Sequence, residues 1–291
     1  MAVPTHDLAS RVCLLTGATN GIGRAAADAL GRTGMTLLLV GRDPARTEAA
    51  VKAVREASAN PRVHGYSADL SLRSDVRRLA AEVRAAHSRL HILVNNAGAV
   101  FTRREVTAEG TEKTLALNHV AYFLLTGELR PLLVASAPAR VVVVASEAHR
   151  GASLDFDDLE SRRRYTGLGV YGKTKLMNVL FTAELARRLA GTGVTANALH
   201  PGVVATGFGQ NTPGLFKSLV GIARPFMLSP EKGAETMVYL ATSPEVEGVT
   251  GKYFEKCREA RPSAAARDPE SARRLWELSE RLVSGAGTAA A

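Results

Sequence analysis

Only two cysteines occur in the 291 residues, Cys13 and Cys257. They form neither a disulfide framework nor a CxxC metal or redox site. Cys13 lies in an apolar run and reads as a small buried hydrophobe. The seven His residues show no HExxH or comparable spacing, so no metal is expected. No apolar run approaches the ~20 residues that a membrane-spanning helix needs. Met1 to Ser10 holds no apolar core of a signal peptide. Internal repeats and an interdomain linker are missing as well. These absences lead to the expectation of a soluble cytoplasmic protein without a membrane span.

Clustered charge is also lacking. The formal net charge is +9, from 37 Lys and Arg against 28 Asp and Glu. The arginines are scattered along helices and loops. The short run Arg162-Arg163-Arg164 follows acidic Asp157, Asp158 and Glu160. A nucleic-acid surface needs a basic stripe, so no nucleic-acid partner is expected.

What is present is a regular alternation. Short apolar runs at residues 11–16, 35–41, 62–67, 90–95, 140–146, 194–200 and 251–255 read as strands. Longer amphipathic stretches separate them, including a long helix over about 111–134 and another that carries Tyr171 and runs to Leu189. Strands this apolar, each followed by a helix, describe a parallel sheet covered on both faces. The expected fold class is α/β: a single Rossmann-type doubly wound domain over residues 1–291. A helix at about 269–283 is appended to it, and the small-residue tail 285–291 is expected to be mobile.

Three features of the alternation carry chemistry. Tyr171 and Lys175 stand four residues apart on a predicted helix, hence on one face. A phenol ordinarily titrates near pH 10, and a neighbouring ammonium favours its phenolate. Such a pair can exchange a proton with a carbonyl or alcohol oxygen. An interfacial tyrosine beside a solvated lysine is the bland alternative.

The first strand runs into Thr16-Gly17-Ala18-Thr19-Asn20-Gly21-Ile22-Gly23 at the head of the first helix. Glycines there let the backbone approach a pyrophosphate, whose charge meets the helix N-terminus. The second strand ends in Gly41-Arg42-Asp43. A carboxylate at that strand end suits the ribose of NAD and a basic residue suits the 2′-phosphate of NADP, so Arg42 favours NADP. Asp43 before Pro44 reads equally as a helix N-cap, and Arg42 as plain surface charge is the alternative.

The glycine spacing and the Tyr171–Lys175 pair together resemble the short-chain dehydrogenase/reductase family, whose turn follows TGxxxGxG. The resemblance covers nearly the whole chain. It implies that Asp69 and Leu70 hold the adenine ring, although Asp69 could instead cap the next helix. It implies that Asn95, Ala97 and Gly98 of the sequence Asn95-Asn96-Ala97-Gly98 stabilise the sheet and line the cofactor. Asn118, set unfavourably within an apolar helical stretch, corresponds to an asparagine that anchors a water in a proton relay behind the lysine. Ser146, at the end of the fifth apolar run, corresponds to the serine that binds the substrate oxygen. Pro201 and Gly202, with Val204 and Thr206, correspond to the nicotinamide-binding turn.

Ser146 and Tyr171 lie 25 positions apart, wider than the family's usual interval. That departure matches the retinol dehydrogenase-like branch. So do Asn178-Val179-Leu180-Phe181-Thr182, His200-Pro201-Gly202-Val203-Val204 and Gly251-Lys252-Tyr253-Phe254. The branch often carries an N-terminal membrane segment that is not visible in this sequence.

The segment Phe208 to Met227 is apolar and contains glycine, as a substrate lid would be, and a lid is placed at about 203–229. Phe208, Leu215 and Phe216 would form its pocket wall. A membrane-surface helix or a subunit interface are the competing readings. The expected function is NADP(H)-dependent interconversion of an alcohol with an aldehyde or ketone, on a hydrophobic small molecule. A catalytically silent NADP-binding regulator or scaffold is the alternative. Homo-oligomers are common in the family, and the sequence leaves that state open.

Overall fold

The apolar runs form one eight-stranded sheet in the order β3-β2-β1-β4-β5-β6-β7-β8. The structure is a computed structural model that describes residues 7–204 and 228–284. The strands are β1 (Val12–Thr16), β2 (Thr36–Gly41), β3 (Val63–Ser67), β4 (Ile92–Asn95), β5 (Ala139–Val144), β6 (Val194–His200), β7 (Tyr253–Glu255) and β8 (Arg258–Ala260). The first seven pair in parallel. Chain order reverses between β1 and β4, which places a crevice at the carboxyl ends of these strands.

The helices are α1 (Gly21–Gly31), α2 (Pro44–Ser58), α3 (Arg73–Ala86), α4 (Lys113–Leu115), α5 (Ala121–Ala135), α6 (Gly167–Arg188), α7 (Pro230–Thr242) and α8 (Pro269–Ser284). Among the described residues no helix is long and apolar enough to cross a membrane. Along β1 the side chains alternate: Leu14 packs into one core layer, Cys13 and Leu15 into the other. The first layer lies beneath α3, α5, α6 and α8, with Leu79, Leu129, Leu180 and Leu275. The second lies beneath α1, α2 and α7, with Leu30, Val54 and Met237. Cys13 is fully buried and its thiol titrates far above the usual range because burial penalises the thiolate. Truncating a leucine this deep, Leu38 for example, costs about 2–5 kcal/mol.

The structure departs from the sequence expectations in three places. An eighth strand, β8, pairs antiparallel with β7 through the tight turn Lys256-Cys257, both of whose residues have positive φ. The long helix expected over 111–134 is broken by a π-helical turn, Ala116–Val120, between α4 and α5. The fifth strand stops at Val144, so Ser146 lies just past it as the N-cap of a 3-10 turn, Glu147–Gly151. The expectations for a lid wall at Phe208, Leu215 and Phe216, for Thr206 and for a mobile tail at 285–291 fall outside the described residues.

Candidate active site

Thr16 ties the end of β1 to the end of β4. Its Oγ1 donates to the Val94 carbonyl (3.2 Å) and accepts from the N–H groups of Asn96 (2.8 Å) and Ala97 (3.1 Å). Asn96 Nδ2 then donates to the carbonyls of Thr16 (2.7 Å) and Gly17 (3.3 Å). The turn closes so tightly that a Cβ on Gly23 would stand 2.1 Å from the Gly17 carbonyl oxygen. Gly17 itself has φ +68 and would meet the Ala97 Cα at 2.8 Å. Only glycine satisfies both positions.

The turn delivers the chain to α1, whose N-cap, Asn20, makes no side-chain capping bond. By contrast, Asp43 caps α2 through Arg46 N (2.8 Å) and Ser229 caps α7 through Lys232 N (3.3 Å). The first amides of α1 thus carry no side-chain cap from Asn20 and lie at the carboxyl edge of the sheet, where a helix N-terminus favours negative charge. Gly17, Thr19, Asn20, Gly21, Ile22 and Gly23, the residues expected to hold a dinucleotide pyrophosphate, lie along this turn and the head of α1. Ile22 meets Val204 over Gly233: a Cβ there would lie 2.8 Å from the isoleucine Cγ2 and 2.5 Å from the valine Cγ2. Pro201 and Gly202 follow β6, and Gly202 has φ +86.

Arg42 is exposed immediately after β2. Asp43 caps α2, its Oδ1 accepting from Arg46 N, as one of the two readings of Asp43 before Pro44 expects. Asp69 does not cap α3, whose N-cap is Leu72. Its carboxylate instead accepts from Ser71 N (3.0 Å) and Ser71 Oγ (2.7 Å), while its own N–H donates to Asp75 (2.8 Å). Leu70 beside it is buried.

Of the two adjacent asparagines, Asn95 is fully buried and donates to Thr126 Oγ1 (2.9 Å), turned toward α5. Asn96, which sequence reasoning passed over, is the one that braces the glycine turn. Thr16 was passed over too. The signal for either was no more than adjacency to a motif.

Tyr171 and Lys175 lie on α6 as the spacing predicts, and Ser146 lies close enough to Tyr171 to pull its pKa down against the effect of burial. The wide interval between serine and tyrosine is taken up by residues 147–166, which join Ser146 to the start of α6. Ser146 Oγ also accepts from Ala148 N (3.3 Å), which fixes the serine at the head of the 3-10 turn.

Lys175 is buried, and its Nζ donates to the Val144 carbonyl (2.9 Å). It stands 5.5 Å from the centre of the Tyr171 ring and 5.6 Å from that of Tyr122. Burial pushes the lysine down to about 7. It also pushes Tyr171 up to about 12, with the Ser146 hydrogen bond opposing the rise. The spacing leads to the expectation that the ammonium lowers the phenol; burial acts on Tyr171 in the opposite sense. Among the protein's own groups desolvation is the larger effect.

Asn118 lies in the π-helical turn, fully buried. Its Nδ2 donates to the Ala99 carbonyl (2.9 Å) and Thr174 Oγ1 (3.1 Å), and its Oδ1 accepts from Ala99 N (2.9 Å). Both ends of the amide are engaged, so the side chain fastens the loop after β4 to α6. A Cβ on Gly98 would lie 3.2 Å from Asn118 Oδ1 and 3.6 Å from Lys175 Nζ, which places Gly98 beside Lys175, while Ala97 lies against Gly17.

Comparison with known proteins agrees with this geometry. The family model for short chain dehydrogenase matches residues 11–213. The chain is 41% identical to human retinol dehydrogenase 14, over 94% of this chain and 86% of that protein. Among solved structures, an uncharacterized protein from Mycobacterium paratuberculosis superposes with TM-score 0.76 at 30% identity, covering 94% of this chain and 93% of the other. The Pseudomonas aeruginosa protein RhlG, in an active-site complex with NADP, superposes with TM-score 0.67 at 28% identity, covering 86% and 97%.

Proposed function

Because the chain belongs to the short-chain dehydrogenase family, we propose that it is an NADP(H)-dependent oxidoreductase interconverting a hydrophobic alcohol with its aldehyde or ketone. The observation that carries this reading is buried Lys175 tied to the end of β5 and standing 5.5 Å from the centre of the Tyr171 ring, with Ser146 close enough to the phenol to oppose its pKa rise. The bound nicotinamide would supply or accept the hydride.

The chain's own residues would do the rest. Tyr171 exchanges a proton at the substrate oxygen, and Ser146 orients that oxygen and stabilises the charge developing on it. Lys175 holds the nicotinamide ribose; whenever it is protonated, its charge offsets part of the burial penalty on the phenolate. Arg42 pairs with the 2′-phosphate. Asn118 holds Thr174 and the Ala99 loop in place around Lys175.

Two observations favour a hydrophobic substrate. Leu168, one turn before Tyr171 on α6, is 56% exposed, and Val203, just past Gly202, is 64% exposed. Both stand at the carboxyl edge of the sheet, where burial by an apolar substrate would be favourable. Turnover of a panel of apolar and polar carbonyls, retinal included, with NADPH and with NADH tests the reading. NADPH-dependent reduction of the apolar members is expected. NADP binding without turnover of any member would instead support a silent regulator or scaffold.

A further inference from the structure

The buried face of α8 reads Ala272, Leu275, Ser279 and Leu282. One residue in that apolar stripe is polar, and Ser279 is fully buried. A buried hydroxyl is tolerated where it finds a partner, and this one finds His119 of the π-helical turn, Oγ to Nε2 at 2.9 Å. His119 Nδ1 lies 3.4 Å from Asn178 Oδ1, and Asn178 Nδ2 lies 3.4 Å from the Val144 carbonyl. That carbonyl is the acceptor for Lys175 Nζ.

The direction of the chain follows from its ends. A carbonyl can only accept, so Asn178 turns its NH2 to Val144 and its oxygen to His119. Nδ1 must then carry the imidazole proton, and Nε2 accepts from Ser279. Ser279 Oγ also donates toward the Leu275 carbonyl on the preceding turn, 2.8 Å away, so its one proton is shared between that carbonyl and the ring. Lowering of the His119 pKa by burial to about 4 agrees with a neutral ring.

A second buried histidine makes a parallel link. His149 Nδ1 lies 2.7 Å from the Ser146 carbonyl, and its Nε2 accepts from Ser263 N at 3.1 Å. Here too the partners fix the neutral tautomer, since one is a carbonyl and the other an N–H. Thus the segment 258–284 reaches Lys175 through His119 and the Ser146 turn through His149.

We infer that His119 and His149 are positioning residues through which this C-terminal segment sets the placement of Lys175 and Ser146. The inference rests on the proposed roles of those two residues. Loss of the Ser279 hydroxyl leaves His119 free to turn, then Asn178, and so alters what shares the Val144 carbonyl with the lysine. Loss of the Ser263 contact lets the turn that begins at Glu147 shift the serine.

Three variants test it. Ser279→Ala cuts the first link. His149→Asn keeps a short amide donor for the Ser146 carbonyl but cannot reach Ser263. Leu282→Ala removes packing from the same helix face and touches neither link. Each link variant is expected to lower kcat about threefold to tenfold, the scale of one lost hydrogen bond, with KM for the carbonyl within about twofold. Each should also speed hydrogen exchange in residues 144–151 or 167–178. Leu282→Ala should lower Tm more than either, with kcat within about twofold of native.

A kcat that simply follows Tm across the three variants overturns the inference, as does native kcat in both link variants. If the native enzyme turns over nothing, the proposed function fails. Exchange then decides the inference alone, and unchanged protection in both link variants overturns it.

Discussion

Lys175 Nζ donates to the main-chain carbonyl of Val144 at 2.9 Å, while the ring of Tyr171 lies with its centre 5.5 Å away. The lysine is thus anchored to the end of β5 and stands beside the phenol on α6. Strand and helix are held in register at the point where Ser146 emerges. The lysine links the two elements from which the catalytic-type group is assembled.

Tyr171→Phe removes the proton-carrying oxygen and little else. Turnover should fall by about 10²-fold or more, while NADP affinity stays within about twofold. Steady-state kinetics together with a binding titration check this. Turnover close to native in the variant would remove Tyr171 from the mechanism.

The raised Tyr171 pKa, about 12, gives the two directions opposite pH behaviour. Carbonyl reduction uses the phenol as an acid, and the phenol stays protonated well beyond neutral pH, so its own ionisation should not limit that rate from about pH 6 to pH 9, and any change near pH 7 reports Lys175. Alcohol oxidation uses the phenolate, whose fraction rises up to about tenfold per unit below the pKa. Oxidation should therefore climb with pH across the same range. An oxidation rate that levels off near pH 7 would show that the phenol titrates there instead.

Arg42→Ala should weaken NADP binding by ~1.5–3 kcal/mol, the worth of a hydrogen bond to a charged group, which is roughly tenfold to a hundredfold in Kd. NAD binding should change little. Titration of both cofactors against both proteins measures the ratio, and an unchanged ratio removes Arg42 from cofactor selection.

Asn96→Ala leaves the Thr16 and Gly17 carbonyls without their side-chain donor. A loss of ~1–3 kcal/mol in stability is expected, accompanied by weaker NADP binding because the glycine turn is no longer braced. Urea unfolding and a cofactor titration report the two effects separately. Stability and affinity both equal to native would mean that the turn holds itself.

The strands were legible because runs such as Leu37-Leu38-Leu39-Val40 are buried on both faces, and a run of that kind has few other uses. β8 was not legible: Arg258-Glu259-Ala260 carries no strand signal and pairs only because the Lys256-Cys257 turn brings it back along β7. The π-helical turn leaves the apolar pattern of 115–125 intact, so its existence depends on how Asn118 meets Ala99. Tyr171 and Lys175 could be found by spacing, but their proton affinities depend on how deeply the fold buries them. Adjacent Asn95 and Asn96 are identical in type, and only the pleat of β4 decides which faces α5 and which faces the glycine turn.

The β7–β8 hairpin closes one edge of the sheet. By folding back, β8 occupies the open ladder of β7, so a neighbouring molecule extending the sheet there must pair with β8 itself. That strand is three residues long and presents exposed Arg258 and Glu259. Short charged margins are poor templates for strand addition. Addition of a further strand along this edge is therefore disfavoured.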